Sequence, residues 1–341
     1  MCATSAGKNF DEIVRRLSEA DSLLLVTHAR SDGDALGSIV ALARAARAVG
    51  KSARLLVPDE PPDRYDFLIE GWDVALAKDF DALADTVDLV AILDTCALPQ
   101  LDGLGDGLER CRDKITVIDH HATGDDIGSV RWVDTSAAAV GIMVGELLEA
   151  LDWPVDYETA AALTTAVTTD TGWLRYANTD ARALRAVAKW FDKGVRPDEL
   201  FREIYQTDRP ERVRLLARVL AGMRLCADGR LAVMCIRAKD FEATGARPDE
   251  TENFVNEAMR IGPVETSMTL VQNEDCVRVS LRSRGAVDVS AIAKRFGGGG
   301  HTRAAGLRRD GPIDDLAEAL VAACTEALSA AGGGEATRRD P

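Results

Sequence analysis

The sequence predicts an α/β protein in two domains: a parallel sheet with helices on both faces, followed by a smaller α/β unit. Three observations predict this. Apolar runs at 22–27, 52–57, 86–93 and 115–118 have the length and β-branched content of buried strands. Stretches of helical spacing separate them, and parallel neighbours need such crossovers. Polar residues follow the runs directly: His28 after the first, Asp94 after the third, and Asp119-His120-His121 after the fourth.

Taken in order, residues 1–9 are small and polar, and 11–20 carry Ile13, Val14 and Leu17 on one helical face. The strand 22–27 ends in His28-Ala-Arg-Ser-Asp32-Gly-Asp34, and 35–49 reads as a helix closed by Gly50. After the strands at 52–57, 86–93 and 115–118 come alanine-rich helices at 136–151 and 157–169. The second of these delivers Asp170 to a helix carboxyl end, where the dipole disfavours a carboxylate and calls for a cation. More helix reaches about Gly222, with a break at 194–197. A second unit then shows strands at 230–236, 264–271 and 277–281, a helix at 250–260, a helix at 289–296, the run Gly297-Gly298-Gly299-Gly300-His301, and a helix at 313–330. The domain boundaries read from this pattern are a first domain at 10–195, a helical linker at 196–222, a second domain at 223–330 and a disordered tail at 331–341.

Composition narrows the function. A length of 341 residues allows two cores, and a formal charge of −15 argues against gripping long duplex nucleic acid, which relies on neutralising many phosphates with Lys and Arg. Seven cysteines without a C-x-x-C pair fit neither a disulfide framework nor a zinc ribbon and favour a reducing compartment. No basic segment followed by an apolar core opens the chain, and no run approaches a membrane span, so the expectation is a cytoplasmic protein without membrane contact. The sequence leaves a homodimer open.

The chemistry sits in the polar stretches. Asp32 and Asp34 flank Gly33, and two aspartates about 4 Å apart at an effective dielectric near 20 repel by about 4 kcal/mol. Placing Asp94 and Asp170 in the same crevice is prohibitive without cations. A capping aspartate, a turn aspartate and a solvated one explain each position alone; their joint occurrence with His28, His120 and His121 favours a metal site. Four carboxylates and imidazoles without thiolates suit manganese first, then magnesium, cobalt or iron, and four negative charges balance two divalent ions. Such ions acidify a bridging water into a nucleophile and hold a phosphorus group. Asp119 is placed to accept an imidazole N–H. In the second unit, Gly298, Gly299 and Gly300 before His301 predict a backbone cradle for an anion, and Arg282, Arg284 and Arg303 flank it with charge for phosphate.

These segments resemble the DHH phosphoesterase superfamily, in its two-domain form with a DHH-associated C-terminal domain. Residues 27–38, 92–95, 117–121 and 169–172 look like its four catalytic motifs, and 279–284 and 296–306 like the associated domain's substrate segments. The resemblance implies two manganese ions, one on His28, Asp32 and Asp94, the other on Asp34, Asp94, His120 and Asp170, with Asp94 bridging. It implies that His121 faces the phosphate or supports the ligands, and that Arg282 and His301 hold the substrate's far end. It further implies that Asp94, Asp119, His120 and His121 form the catalytic group. Gln100 stands where the family often has Arg, and Ser31 where Pro is usual.

The reading is a metal-dependent phosphoric ester hydrolase of the group similar to the short-RNA ribonucleases (nanoRNases) that also dephosphorylate 3′-phosphoadenosine 5′-phosphate. Its partners would be short RNA or DNA oligonucleotides and small nucleotides, hydrolysed by a two-metal hydroxide mechanism. Alternatives are a cyclic-dinucleotide phosphodiesterase, a manganese inorganic pyrophosphatase, and a catalytically silent nucleotide sensor.

Overall fold

In the computed structural model, which describes residues 5–332, the chain divides into two units, Met1–Thr207 and Asp208–Pro341. The first runs α1 (Ser5–Glu19), β1 (Ser22–Val26), α2 (Gly33–Ala48), β2 (Ser52–Val57), α3 (Asp66–Ile69), β3 (Val74–Leu76), α4 (Phe80–Ala84), β4 (Leu89–Leu93), α5 (Gly105–Arg110), β5 (Ile115–Asp119), β6 (Val130–Val133), α6 (Val140–Ala150), α7 (Tyr157–Asp170), α8 (Ala181–Phe191) and α9 (Pro197–Tyr205). Its six strands are all parallel, in the order β3-β2-β1-β4-β5-β6. β1 lies between β2 and β4, so the strand order reverses there. In open α/β sheets the crevice at the carboxyl ends of such a reversal is where ligands bind.

Both faces of this sheet are covered, which is why its strands read as unbroken apolar runs. Leu23 and Leu25 of β1 pack on one side with Leu36 and Ile39 of α2 and Leu163 and Val167 of α7; Leu24 and Val26 pack on the other with Phe80 and Leu108. Each such side chain contributes about 1.5–3 kcal/mol by leaving water. The α2–α7 contact is close because α2 carries glycine: a Cβ at Gly37 would stand 2.5 Å from the Ala162 carbonyl oxygen.

The second unit runs α10 (Pro210–Ala221), β7 (Arg224–Cys226), β8 (Leu231–Ile236), α11 (Ala238–Thr244), α12 (Phe254–Glu257), β9 (Thr266–Gln272), β10 (Val277–Ser283), α13 (Val289–Arg295), β11 (Gly299–His301), β12 (Ala304–Arg309) and α14 (Ile313–Gly332). Its sheet has the order β11-β12-β10-β9-β8-β7, with only β8 and β9 parallel. Val277, Val279 and Leu281 are buried with Ile292 of α13 and Leu320 of α14, while the alternate residues Arg278, Ser280 and Arg282 are half-buried.

Several elements differ from the sequence expectation. α1 begins at Ser5 rather than 11, and β3, β6, β7, β11 and β12 are additional strands, each short or flanked by turns. The helix expected at 250–260 is broken: Asn253 is left-handed (φ 66°), between a 3-10 turn at Pro248–Thr251 and the four-residue α12. The stretch 196–222 is shared by the two units, since Leu200 and Ile204 of α9 join the first core and Leu215 and Val219 of α10 a core of the second. α14 continues to Gly332, so residues 331 and 332 are helical; the rest of the expected tail, 333–341, lies outside the described residues. No helix among the described residues is long and apolar enough to cross a membrane.

Candidate metal centre

The loop after β1 is built by local hydrogen bonds. Asp32 caps α2, its Oδ1 accepting from the amides of Asp34 and Ala35, both at 3.0 Å. The Ser31 hydroxyl donates to the His28 carbonyl at 2.7 Å. His28 Nδ1 lies 3.0 Å from the Ala29 carbonyl, which selects the Nδ1–H tautomer and leaves Nε2 as a lone pair. That Nε2 stands 3.4 Å from Asp94 Oδ2 and 3.9 Å from Asp32 Oδ1.

Asp94 leaves β4 in the left-handed region (φ 64°), a conformation that aspartate tolerates better than most side chains. Its amide donates to the Ile118 carbonyl at 3.0 Å, tying the end of β4 to β5. The side chain is buried, and Oδ1 has no hydrogen-bond partner. An orphaned buried carboxylate oxygen is costly and demands a cation or a donor.

At the end of β5, Asp119 is fully buried and its Oδ1 accepts from the His120 amide at 2.8 Å, the His121 amide at 3.2 Å and His121 Nδ1 at 2.8 Å. Asp119 therefore orients the second histidine. His120 Nδ1 lies 3.0 Å from the Ala137 carbonyl, so Nε2 is the nitrogen that would offer a lone pair on deprotonation, 3.6 Å from Asp94 Oδ1 and 3.7 Å from Asp170 Oδ2.

Asp34, in the first turn of α2, reaches across to another helix. It accepts from the amides of Val140 at 2.6 Å and Gly141 at 2.8 Å, and from the Ser38 hydroxyl at 3.1 Å. These bonds place its charge at the positive end of α6. They also explain why α6 starts at Val140 and not at 136: the capping group comes from α2. Gly33 lets the start of α2 meet the end of α7, since a Cβ there would stand 2.4 Å from Thr169 Oγ1. Asp34 and Asp170 thereby come together.

Three donor sets result: His28 with Asp32 and Asp94, Asp34 with His120 and Asp170, and Asp94 with His120 and His121, each with ligand atoms within 4.8 Å of one another. Burial pushes the Asp34 carboxyl up to about 6, with the Asp32 charge adding to it, and burial with Asp34 and Asp32 nearby pushes Asp170 up to about 7. Asp94 lies well above the ordinary range for the same reasons, burial first and then Asp34 and Asp32. Burial alone would lower His120, but Asp34, Asp94 and Asp170 outweigh it and raise it to about 9. Asp119 is the exception: burial raises it, yet the hydrogen bond from His121 prevails and holds it below the usual carboxylate range. The frustrated charges fit divalent cations. Two ligands about 2.1 Å from one ion stand roughly 3.0–3.6 Å apart, and the imidazole–carboxylate gaps here are similar or slightly wider. The all-oxygen-and-imidazole donor set has the character expected for manganese or a similar ion.

In the second unit, the cross-strand register aligns Arg282 of β10 with Ala304 of β12, and Ala304 with His301 of β11, so these side chains share one face. A cavity of about 100 Å³ beside Arg282 is lined by Thr251, Asn253, Thr269, Arg278 and Ser280. The glycine run, expected as a backbone cradle, joins the end of α13 to the short strand β11. The amides of Gly297 and Gly298 close α13 by donating to Lys294 and Ala293, and Gly299, Gly300 and His301 pair as an edge strand. Glycine is required there because a Cβ at 298 or 300 would strike the backbone of β12, at 2.3 Å from the Gly306 oxygen and 2.6 Å from the Ala304 oxygen. Arg284 donates to the carbonyls of Met259, Ile261 and Gly262, and Arg303 to that of Gly285, so both guanidiniums hold loops.

Sequence reasoning noted Gln100 only as a departure and missed its contacts: its carbonyl accepts from the Ala29 amide at 2.8 Å and its side chain from the Thr95 hydroxyl at 2.6 Å, joining the His28 and Asp94 loops. It also missed the Val140 and Gly141 amides. These amides leave no sequence signal, because every non-proline residue carries one.

The chain belongs to the DHH family: the profile of the DHH family N-terminal domain matches residues 22–168, and that of the DHHA1 domain residues 228–330. Among its relatives, the bifunctional oligoribonuclease and PAP phosphatase NrnA of Thermus thermophilus is 33% identical over 91% of each chain. The protein of the same name from Bacillus subtilis is 28% identical over 86% of this chain and 91% of its own. Among solved structures, an exopolyphosphatase-related protein from Bacteroides fragilis superposes with a TM-score of 0.89 at 25% identity, covering 94% of this chain and 96% of that one. RecJ of Thermus thermophilus, solved with Mn2+, shares the fold alone (TM-score 0.55, 15% identity, 94% of this chain and 55% of that one).

Proposed function

We propose that this protein is a metal-dependent phosphoesterase that hydrolyses short oligonucleotides or dinucleotides and 3′-phosphoadenosine 5′-phosphate. The observation that carries the reading is Asp94, a buried carboxylate common to two of the three donor sets at the switch point of the parallel sheet. Relatives named for these activities, similar along about nine-tenths of both chains, support the substrate class.

His28, Asp32 and Asp94 would hold one divalent ion and Asp34, Asp94, His120 and Asp170 a second, with manganese preferred. Bound there, the ions would supply water activation and charge neutralisation at a phosphoryl group. The protein's own groups prepare the site. The Ala29 and Ala137 carbonyls fix the tautomers of His28 and His120, and the α6 amides hold Asp34 in place. Asp119 takes the Nδ1–H of His121 and so fixes the orientation of that ring beside the metal ligands. Arg282 and His301 would bind another phosphate or base of the substrate, Arg282 through its planar fork of donors. Six free cysteines among the described residues support a cytoplasmic setting.

Titration of metal-depleted protein with Mn2+ tests this. Two equivalents are expected to restore turnover of a dinucleotide, and Arg282→Ala is expected to raise KM about tenfold, in line with loss of one charge-assisted contact. Full turnover in excess chelator would contradict the metal reading.

A further inference from the structure

The segment after Asp170 is bent in a way that metal binding alone does not require. Gly172, Trp173 and Leu174 are all left-handed, with φ of 56°, 61° and 61°. Two of the three carry large side chains, so the turn is strained and something must hold it. Trp173 does: its ring packs edge-on against Phe201 at 5.1 Å and Tyr205 at 5.8 Å between centroids. The Leu174 amide donates to the Thr171 hydroxyl at 3.1 Å, and the amides of Arg175 and Tyr176 to the Thr171 carbonyl at 3.0 and 2.9 Å. Asn178 closes the loop, bridging the carbonyls of Ala138 and Asp170.

The product of this turn is the placement of Tyr176. A Cβ on Gly172 would lie 2.3, 2.4 and 2.5 Å from Cζ, Cε1 and Cε2 of the Tyr176 ring. Near-equal distances to three consecutive ring carbons put that point over the ring's face, not beyond its edge. One face of the ring is therefore seated on the backbone two residues from Asp170. The residue nevertheless remains 50% exposed. An anchored aromatic face open to solvent beside a phosphoryl-handling centre is the arrangement that stacks a nucleobase.

We propose that Tyr176 is a base-stacking platform for the nucleotide whose phosphate is handled at the metal centre. The proposal rests on the nucleotide reading given above. Every base has a π-face, so the platform selects for a base without selecting its identity, and it disfavours phosphoesters that carry none.

The test uses the full chain with Mn2+ and three probes: the dinucleotide pApA and its two singly abasic counterparts. Tyr176→Leu keeps an apolar cover on Gly172 but removes the π-face. It is expected to lower kcat/KM on pApA about tenfold through KM, and to leave one of the two abasic dinucleotides processed as by the wild type. Tyr176→Phe and Tyr176→Trp are expected to recover most of that loss, because they restore a ring. An equal loss on all three probes, or none on any, would overturn the proposal. A readout independent of turnover, and of whether the Leu variant folds, comes from 2-aminopurine placed at each position of the dinucleotide: the wild type is expected to quench one position markedly more than the other. Equal quenching at both would also overturn it. If the wild type neither hydrolyses nor binds any dinucleotide, the functional reading fails, and the platform with it; turnover without base dependence sinks the platform alone.

Discussion

Asp94 shows why the site needs a cation: a carboxylate in a left-handed turn, buried, with one oxygen unpartnered. Asparagine keeps the turn and removes the charge. Asp94→Asn is therefore expected to cut turnover by about a thousandfold or more, the scale seen when a key electrostatic group is removed, while raising the melting temperature of the metal-free protein. Wild-type turnover in the variant would sink the assignment. The raised pKa values give a second expectation. Asp34 at about 6 and Asp170 at about 7 bind protons in the folded state that the unfolded chain has released, so their stabilisation is complete below the ordinary carboxylate pKa and lost as pH rises through those values. His120, at about 9, has the same sign: its share is complete below its unfolded pKa and lost as pH rises through about 9. In chelator, the denaturation midpoint is expected to fall from pH 5 to pH 8, and Mn2+ to reverse the fall; a midpoint that rises over that range in chelator contradicts the electrostatic account. These residues were legible because each sits at the end of an apolar run or helix. The amides that anchor Asp34, from a helix over a hundred positions away in the chain, were not.

At the level of elements, the approach of α2 to α7 decides whether Asp34 and Asp170 meet. Gly37→Ala would press a methyl group against the Ala162 carbonyl, and overpacking of this kind costs roughly 1–3 kcal/mol. The variant is expected to unfold earlier in denaturant and to bind Mn2+ more weakly; an unchanged Mn2+ titration would show that the centre does not depend on this contact. The four central strands were readable from their apolar runs. β3 and β6 escaped because they are three- and four-residue edge strands, half-buried for the most part. Part of the glycine run answers to packing: Gly298 and Gly300 allow close approach to β12, a need that looks the same in sequence as an anion-binding loop. Asn253 broke an expected helix for a comparable reason, since a left-handed residue is invisible to apolar periodicity.

For the whole molecule, the charge of −15 agrees with the proposed short substrates, which metals and a few arginines would meet. Neutralising only two or three phosphates gives a shallow salt dependence, with a log–log slope no steeper than about −2 for single strands. The two units have separate cores, and the family's two domain profiles fall one in each. The sequence conveyed this division through its change from parallel-sheet to mixed patterning, but not where α9 and α10 part. The central claim is that the metal centre serves short nucleotides. The most direct measurement is turnover with Mn2+ on a dinucleotide, a pentanucleotide RNA, a long RNA, 3′-phosphoadenosine 5′-phosphate, a cyclic dinucleotide and pyrophosphate, side by side. Turnover concentrated on the dinucleotide, the pentanucleotide and 3′-phosphoadenosine 5′-phosphate is expected; hydrolysis of pyrophosphate alone, or of long RNA as readily as short, would contradict it.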